Sequence, residues 1–313
     1  MRRFGKRRRQ CINCRRTWRI RKKKRGRKRT RHTESLLKRI LIDGYTLLQE
    51  RQNFHGLKSV SIAARFAQAL RAYVTATPPR LPKGPYVLIV DGVYFKFKRK
   101  EWVLYLMAVK PIHSPRMYYR DPVLLKGRER LEEWYTAIDT IPRETRKQII
   151  ALVSDGLRGF QQLAASNDWV HQRCHFHLLA SLVHGKGKRR YLTRGSSVRD
   201  RILESMRILL SDESVQKRDQ SRQSLRRHIN NPLCPSYVRK HVLEFFERER
   251  DFRSYLTHPR LHLPTTTGAM ESTGRLVRKA TRTARTPKSL RLRAVAFLRL
   301  KQSVVCNGCD TPN

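Results

Sequence analysis

Three carboxylates in this sequence have a type and a position that could do chemistry. Asp91 ends the apolar run "YVLIVDG" and Asp155 ends the run "QIIALVSDG". Glu271 follows the turn-like "PTTTGAM", is predicted to open a helix, and is the only acid between Asp251 and Asp310. An ionised carboxylate on a buried strand is costly unless it is paired or bound to a metal.

The two strand-end aspartates predict a divalent-metal site. In neighbouring strands the two carboxylates would lie side by side and repel each other, which raises the pKa of one of them. A cation removes that conflict, and oxygen ligands suit Mg²⁺ or Mn²⁺. Taken singly, each acid has a structural explanation, as a turn residue or, for Glu271, as a favourable charge at a helix N-terminus. Together, in a strongly basic chain, they favour catalysis.

The net charge predicts a polyanionic partner. The 313 residues include 70 Lys and Arg against 24 Asp and Glu, a formal charge of +46. Nucleic acid is the default partner for such a chain. A membrane surface is the weaker interpretation, since no apolar run of about 18 residues is present. Residues 1–32 hold eighteen Lys or Arg and no acid, and this block is expected to stay extended until it meets phosphates.

Hydrophobic periodicity predicts a mixed α/β core. After the linker "TPPRLPKGP", the runs "YVLIVDG", "VYFKF" and "WVLYLMAV" predict three neighbouring antiparallel strands joined by short turns. A helix, a strand, a helix and a further strand follow, which predicts a mixed sheet with helices on its faces. Before the linker, "TESLLKRILIDGYTLLQERQNF" and "SVSIAARFAQALRAYVTA" predict two helices, as a helix-turn-helix or as a plain helical hairpin.

The C-terminal third is predicted to be helical. Strand signals vanish from about residue 186 to residue 263, where charged amphipathic patterns indicate a helical insertion. Residues 272–302 then carry ten Lys or Arg and no acid. Four arginines are predicted to share one helix side, either as a solvated face or, as we favour, along a phosphate backbone: Arg275, Arg278, Arg282 and Arg285.

Over residues 81–302 this order of motifs resembles the DDE transposases of bacterial insertion sequences and their Mutator-like relatives. "IVDGVYFKF" resembles the segment of the first acid, and "LVSDGLRGF" resembles that of the second. "QRCHFHLL" matches the C-x-x-H signature of the family, here Cys174 and His177. "PTTTGAMES" resembles the region of the final Glu, although relatives commonly carry Asn where Thr267 stands. The resemblance implies an RNase H-like mixed sheet interrupted by an all-helical insertion.

The resemblance also implies an activity, namely DNA strand cleavage and strand transfer at the ends of an insertion sequence, without a covalent enzyme intermediate. Two Mg²⁺ or Mn²⁺ ions about 3.5–4 Å apart would clamp the scissile phosphate. Asp91 would bridge both ions, and Asp155 and Glu271 would complete one site each. One ion would activate water and later the freed 3′-hydroxyl, and the other would stabilise the leaving oxygen.

The implied partners are DNA, both element ends and target, and further copies of this chain in a homodimer or higher oligomer. The expected location is the cytoplasm of a prokaryote, associated with the nucleoid. Two alternatives stay open: a metal-dependent nuclease without strand transfer, and a non-catalytic DNA-binding relic of a transposase.

Two C-x-x-C pairs have the spacing of zinc ligands, Cys11 with Cys14 and Cys306 with Cys309. "QCINCRRTW" resembles the second half of a zinc ribbon, but the first pair is missing from the sequence. Either the chain begins late, or the C-terminal pair completes the site, or no zinc binds. A truncated or degenerate ribbon is the favoured expectation. Six cysteines are too few for a disulfide scaffold, which indicates a reducing, intracellular compartment.

Cys174 and His177 also have metal-ligand spacing, with His171, His175 and His184 nearby. The favoured interpretation is a partly buried packing pair beside the active site. The predicted organisation is a basic arm with a partial zinc ribbon (1–32), a helical DNA-binding segment (33–80), the first part of the RNase H-like core (81–185), the helical insertion (186–263), the core C-terminal helix that carries the final Glu (264–302) and a tail (303–313).

Overall fold

The basic N-terminal block is partly folded. The computed structural model describes residues 2–3, 8–11, 13–19, 29–53, 59–76, 78, 80–184, 196–211 and 214–307. In the first three of these ranges, three short antiparallel strands form a small sheet: β1 (Arg2–Arg3), β2 (Arg8–Gln10) and β3 (Thr17–Arg19). The prediction of an extended block over 1–32 is therefore wrong in part, because strand pairing uses backbone groups and needs no apolar core.

The segment predicted to form two helices forms three, α1 (Arg29–Leu41), α2 (Leu47–Asn53) and α3 (Ser59–Thr75). The first predicted helix is interrupted because Gly44, between α1 and α2, has a φ of +80°, which residues with a Cβ rarely adopt. The apolar faces of α1 and α3 join the main hydrophobic core. Their DNA-binding role stays a prediction.

A six-stranded mixed sheet forms the centre of the fold. The strand order is β6-β5-β4-β8-β9, with β7 also paired to β5. β4 and β5 are antiparallel, as are β5 and its outer partners, whereas β8 is parallel to both β4 and β9. The strands are β4 (Tyr86–Phe97), β5 (Lys100–Pro111), β6 (Tyr118–Tyr119), β7 (Val123–Lys126), β8 (Ile149–Ser154) and β9 (Val170–Arg173).

The β4–β5 hairpin corrects the prediction of a turn at Asp91. The runs "YVLIVDG" and "VYFKF" form one continuous strand, in which Asp91 lies opposite Leu106 of β5. The chain reverses instead at Lys98 and Arg99, whose φ values of 46° and 65° suit a two-residue hairpin turn. β8 pairs with β4 only as far as Ile89, so Asp91 lies just beyond that pairing rather than at a strand end.

Both faces of the sheet are covered, as the alternation of β4 shows. Val87 and Ile89 face a cluster formed with α1, α3 and the two C-terminal helices. Leu88 and Val90 face a second cluster that contains the buried Trp134. The helices that contribute to this second cluster are α4 (Leu131–Asp139) and α6 (Phe160–Ala165). The one-turn helix α5 (Arg143–Arg146) lies between α4 and β8 along the chain and buries none of its residues.

A third hydrophobic cluster lies in the helical stretch that follows β9, and it is formed by residues between Leu178 and Phe252. The helices here are α7 (His175–His184), α8 (Ser196–Leu210), α9 (Val215–Ile229), α10 (Ser236–Glu247), α11 (Glu249–Phe252) and α12 (Ser254–Thr257), followed by a 3-10 turn at Pro259–Leu261. The boundaries of a helical insertion stay a prediction.

The single C-terminal helix predicted over 264–302 is two helices, α13 (Gly268–Thr281) and α14 (Pro287–Asn307). The break is explained by Pro287, which disfavours helical backbone in the residue before it and favours the first position of a new helix. Both helices join the main core.

The fold is thus a mixed α/β arrangement with a mixed sheet and many helices. Its strand order and directions are compatible with the RNase H-like core that the family resemblance implies. No helix in the described ranges is both long and apolar enough to cross a membrane.

Candidate active site

Asp91 faces helix α13. It shares its face of β4 with Val93, a member of the main core, because alternate residues of a strand point to the same side. Gly274 of α13 lies against this face: a Cβ added there would be 3.0 Å from Val93 Cγ2 and 3.9 Å from Asp91 Oδ2. The missing side chain therefore lets α13 approach the strand at the aspartate.

Glu271 enters the site from the first turn of α13, as predicted. It lies three residues before Gly274, so both are on the helix side that meets β4. Its Oε1 atom is 2.9 Å from Nε2 of His177, the second residue of the C-x-x-H motif.

Asp155 directly follows β8, and the prediction of an acid at that strand end is confirmed. Its Oδ1 accepts a hydrogen bond from the backbone N–H of Leu157 at 3.0 Å, which orients the carboxylate in the turn. Because β8 is parallel to β4 and adjacent to it, this turn lies at the same edge of the sheet as Asp91.

The three predicted acids are close enough for their charges to interact. Burial raises the pKa of Asp91 to about 7; His177 opposes the shift, whereas Glu271, Asp155 and a fourth acid, Glu129, add to it. Among the described residues, no Lys or Arg forms an ion pair with any of these four carboxylates. In a chain of charge +46, the part that the structure describes supplies no Lys or Arg ion pair to this cluster.

Glu129 was missed by the sequence analysis. It precedes α4 and approaches β4 from the face opposite to Asp91, where a Cβ on Gly92 would lie 2.7 Å from either of its carboxylate oxygens. Tyr94 Oη and Trp134 Nε1 each donate a hydrogen bond to it at 2.8 Å. Burial, and then the charge of Asp155, raise its pKa. No spacing rule marks Glu129, because its neighbours in "KGRERLEEW" include further glutamates.

The C-x-x-H motif links α7 to the start of α13. Cys174 Sγ accepts hydrogen bonds from the backbone N–H and the hydroxyl of Thr267, at 3.2 and 3.3 Å. His177 binds Glu271, so the two motif residues hold α13 at two points. Burial alone would lower the pKa of His177, but Cys174 and the nearby acids raise it to about 9. At neutral pH His177 is therefore the cation of the acidic cluster.

The four carboxylates do not form a ready metal centre. Across the described residues, no three His, Cys, Asp or Glu side chains are arranged to hold one ion. His171 and His175 are engaged within the protein, with Ser154 Oγ at 2.9 Å and the Phe252 carbonyl oxygen at 2.6 Å. These contacts agree with packing roles for the histidines near Cys174, while the side chain of His184 lies outside the described residues.

The zinc expectation at the terminal cysteines stays a prediction. Cys11 and Cys14 are free cysteines, and backbone hydrogen bonding near Cys14 lowers the pKa of Cys11. Cys309 and the side chain of Cys306 lie outside the described residues.

The predicted arginine face is wrong in its geometry. Arg275 and Arg278 belong to α13, but that helix ends at Thr281, so Arg282 and Arg285 lie beyond it. The cause is the break before Pro287. All four arginines are exposed, and their contact with phosphates stays a prediction.

A cavity of about 210 Å³ lies beside the acidic turn and is lined by Gly156, Cys174 and His177 among others. Arg173 also lines it: the side chain is only 7% exposed, its Nη2 is 3.1 Å from Glu244 Oε1, and its Nη1 has no hydrogen-bond partner within the described part of the chain. An arginine ending a buried strand needs partners just as Asp91 does, so the same reasoning would have found it in the sequence.

Comparisons with known proteins do not identify a family for this chain. No protein-family model matches the chain, and no curated protein matches it. Among solved structures, a chain of the "Drosophila P element transposase strand transfer complex" aligns with 90% of this chain and 86% of its own, at 12% identity and a TM-score of 0.23. A similarity at this level establishes neither a shared fold nor a shared activity.

Proposed function

We propose that this chain is a DDE-type transposase that cuts and joins DNA strands with Mg²⁺ or Mn²⁺. The observation that carries the proposal is that the charges of Asp155 and Glu271 act on the buried Asp91, while no Lys or Arg among the described residues forms an ion pair with any of the three. The fully buried Glu50, by comparison, is paired with Arg39. Acids left unpaired in a partly buried cluster are costly, which is expected where a divalent ion supplies the charge.

The donor set fits a hard divalent cation, since all its members are carboxylate oxygens. When bound, the ions would supply Lewis-acid stabilisation of the scissile phosphate and an activated nucleophile. Asp91, Asp155 and Glu271 are the residues that would hold these ions. Because Glu271 is engaged with His177, binding requires this pair to separate or share an oxygen, and Cys174 and Thr267 keep α13 in place meanwhile.

The test compares Asp91→Asn, Asp155→Asn and Glu271→Gln with Asp139→Asn, an exposed acid outside the cluster. The DNA substrate carries the inverted repeats expected on both sides of the reading frame, and Mg²⁺ is added. The three site variants should lose strand cleavage and strand joining by more than about 100-fold, as metal-site changes do, while the control stays active. Unchanged activity in all three would refute the proposal.

A second candidate, a non-catalytic DNA-binding relic, is favoured by one observation: no metal-ligand arrangement is found among the described residues. Titration of the wild-type chain with Mn²⁺, followed by electron paramagnetic resonance, separates the two. Binding that is lost in Asp91→Asn supports the enzyme, and its absence in the wild type supports the relic.

A further inference from the structure

We propose that Glu129 is a positioning residue that orients the water molecule used in strand cleavage, and that it is dispensable for strand joining. This inference rests on the proposed function. It goes beyond the three acids of that function by assigning the fourth carboxylate to only one of the two reactions.

The chain builds a dedicated niche for Glu129. Gly92 leaves open the position that a side chain would fill, and the carboxylate takes that position. Tyr94 holds one oxygen and the fully buried Trp134 holds the other, both at 2.8 Å. With one hydrogen bond accepted by each oxygen, every oxygen keeps a further lone pair for another donor.

Glu129 comes to the cluster from a different side than Glu271. Residues 91 and 92 point to opposite faces of β4, with Glu271 on the face of Asp91 and Glu129 on the face of Gly92. Mg²⁺ usually keeps several waters and is bound through few carboxylates. The Glu129 carboxylate already accepts two hydrogen bonds and lies at the margin of the cluster. It is therefore better suited to accept a hydrogen bond from such a water than to bind the ion directly.

An independent feature indicates that an anionic group belongs beside Asp155. The cavity of about 210 Å³ adjoins Gly156, and the buried Arg173 reaches this turn: a Cβ on Gly156 would lie 2.5 Å from its Nη2. A buried guanidinium nitrogen without an acceptor is costly, so the unpartnered Nη1 points to a ligand that is present only in the complex. A DNA phosphate has the required charge.

The two reactions differ in what holds the nucleophile. In cleavage the water oxygen bonds to phosphorus, the bond from phosphorus to the 3′ oxygen breaks, and the proton lost by water and the one gained by the 3′ oxygen are exchanged with solvent. Water has no tether, so an acceptor that fixes its orientation speeds the step. In joining, the 3′-hydroxyl is already held by its own DNA strand and needs no such acceptor.

The experiment measures both steps on separate substrates, with intact ends for cleavage and pre-cleaved ends for joining. Glu129→Gln should slow cleavage about 10- to 100-fold and change joining less than about threefold. Tyr94→Phe, which removes one holding donor from an exposed position, should slow cleavage by a smaller factor. The matched control is Glu133→Gln, which makes the same change in a carboxylate that accepts a 2.8 Å hydrogen bond from Tyr105 outside the cluster, and it should leave both steps unchanged.

A spectroscopic readout accompanies the kinetics. The indole N–H resonance of ¹⁵N-labelled Trp134, identified by its loss in Trp134→Phe, should shift when Mg²⁺ is added and stay fixed in Glu129→Gln. Equal losses of cleavage and joining in Glu129→Gln, or no loss in either, would overturn the role of Glu129 alone. A wild-type chain that neither binds Mg²⁺ nor cleaves DNA would overturn the proposed function, and this inference with it.

Discussion

Two acidic sites in this molecule are built in opposite ways. Asp121, after β6, accepts hydrogen bonds from Arg299 at 2.9 and 2.6 Å, and Arg299 also donates to the carbonyl oxygens of Tyr73, Val74 and Ala76 at the end of α3. In the cluster around Asp91 the ion pair that the described residues form is with a histidine, between Glu271 and His177 at 2.9 Å. The chain has 70 Lys and Arg, so a shortage of cations does not explain the difference. Asp121 connects structural elements through an arginine, whereas the acids around Asp91 are available to bind a ligand.

The largest effect should appear in the stability of the metal-free protein. The pKa of Asp91 rises from 3.8 to about 7 in the folded state, so between these values the folded protein holds a proton that the unfolded chain has released. This carboxyl therefore lowers the free energy of unfolding as the pH rises from about 4 to 7. Asp91→Asn should raise that free energy by up to about 4 kcal/mol at pH 8, and the gain should shrink toward pH 4.

Urea unfolding at pH 8, 6 and 4 measures this effect. The exposed Asp43→Asn is the control and should show no such trend. An Asp91→Asn variant less stable than the wild type at pH 8 would remove the contrast between the two sites.

The ion pair at Arg299 should behave in the opposite direction. Arg299→Met leaves three carbonyl oxygens at the end of α3 without their donor, whereas Asp121 is 42% exposed and can be hydrated, so the loss of unfolding free energy should be about 1–3 kcal/mol. Arg291→Met, an exposed position on the same helix, should change it by less than about 0.5 kcal/mol. Thermal or urea unfolding measures the stability of both variants. Similar losses of unfolding free energy in the two would show that Arg299 contributes no more than an exposed arginine.

A smaller effect is expected where α13 meets β4. Gly274→Ala places a Cβ 3.0 Å from Val93, and the overpacking cost exceeds the helix-propensity gain by about 1 kcal/mol. Because the added Cβ moves Glu271 away from Asp91, the same variant should bind Mn²⁺ about tenfold more weakly. Gly268→Ala on the same helix meets only an ordinary contact at 3.5 Å, and should bind Mn²⁺ normally. Equal affinities in the two variants would show that the close approach is unimportant.

The smallest effect concerns the exposed arginines after Glu271. If Arg275 contacts one phosphate, Arg275→Ala should make the log–log salt dependence of DNA binding shallower by about 0.9. Arg146→Ala, near the start of β8 and therefore at the other end of that strand from Asp155, should leave the slope unchanged. Fluorescence anisotropy across a salt series measures both, and identical slopes for the two variants would place Arg275 away from DNA.

The sequence was informative where a residue type conflicts with its local pattern. Acids ending apolar runs marked Asp91 and Asp155, and a lone acid in a basic stretch marked Glu271. These signals are local, so they hold even where the predicted secondary structure is wrong. Gly92 predicts a turn at Asp91, but the strand continues through both residues. In the fold Gly92 is needed for the approach of another side chain, which no local pattern reveals.

What the sequence could not provide are partners distant along the chain. Glu129 depends on Tyr94, 35 residues away, and Cys174 depends on Thr267, 93 residues away. The end of α13 at Thr281 could have been anticipated, since Pro287 was visible. Helical spacing alone predicts one face for all four arginines, but Arg282 and Arg285 lie beyond the end of the helix.

The position of α13 along the chain governs when the site can exist. Its contact with the sheet joins Tyr119 to Thr273, 154 residues later, through a 2.8 Å hydrogen bond. During translation the sheet and the helices after β9 leave the ribosome before Glu271 does. A nascent chain can therefore pair its strands while it still lacks both the third carboxylate and the two helices that complete the main core, so synthesis that stops early yields neither the finished core nor the site.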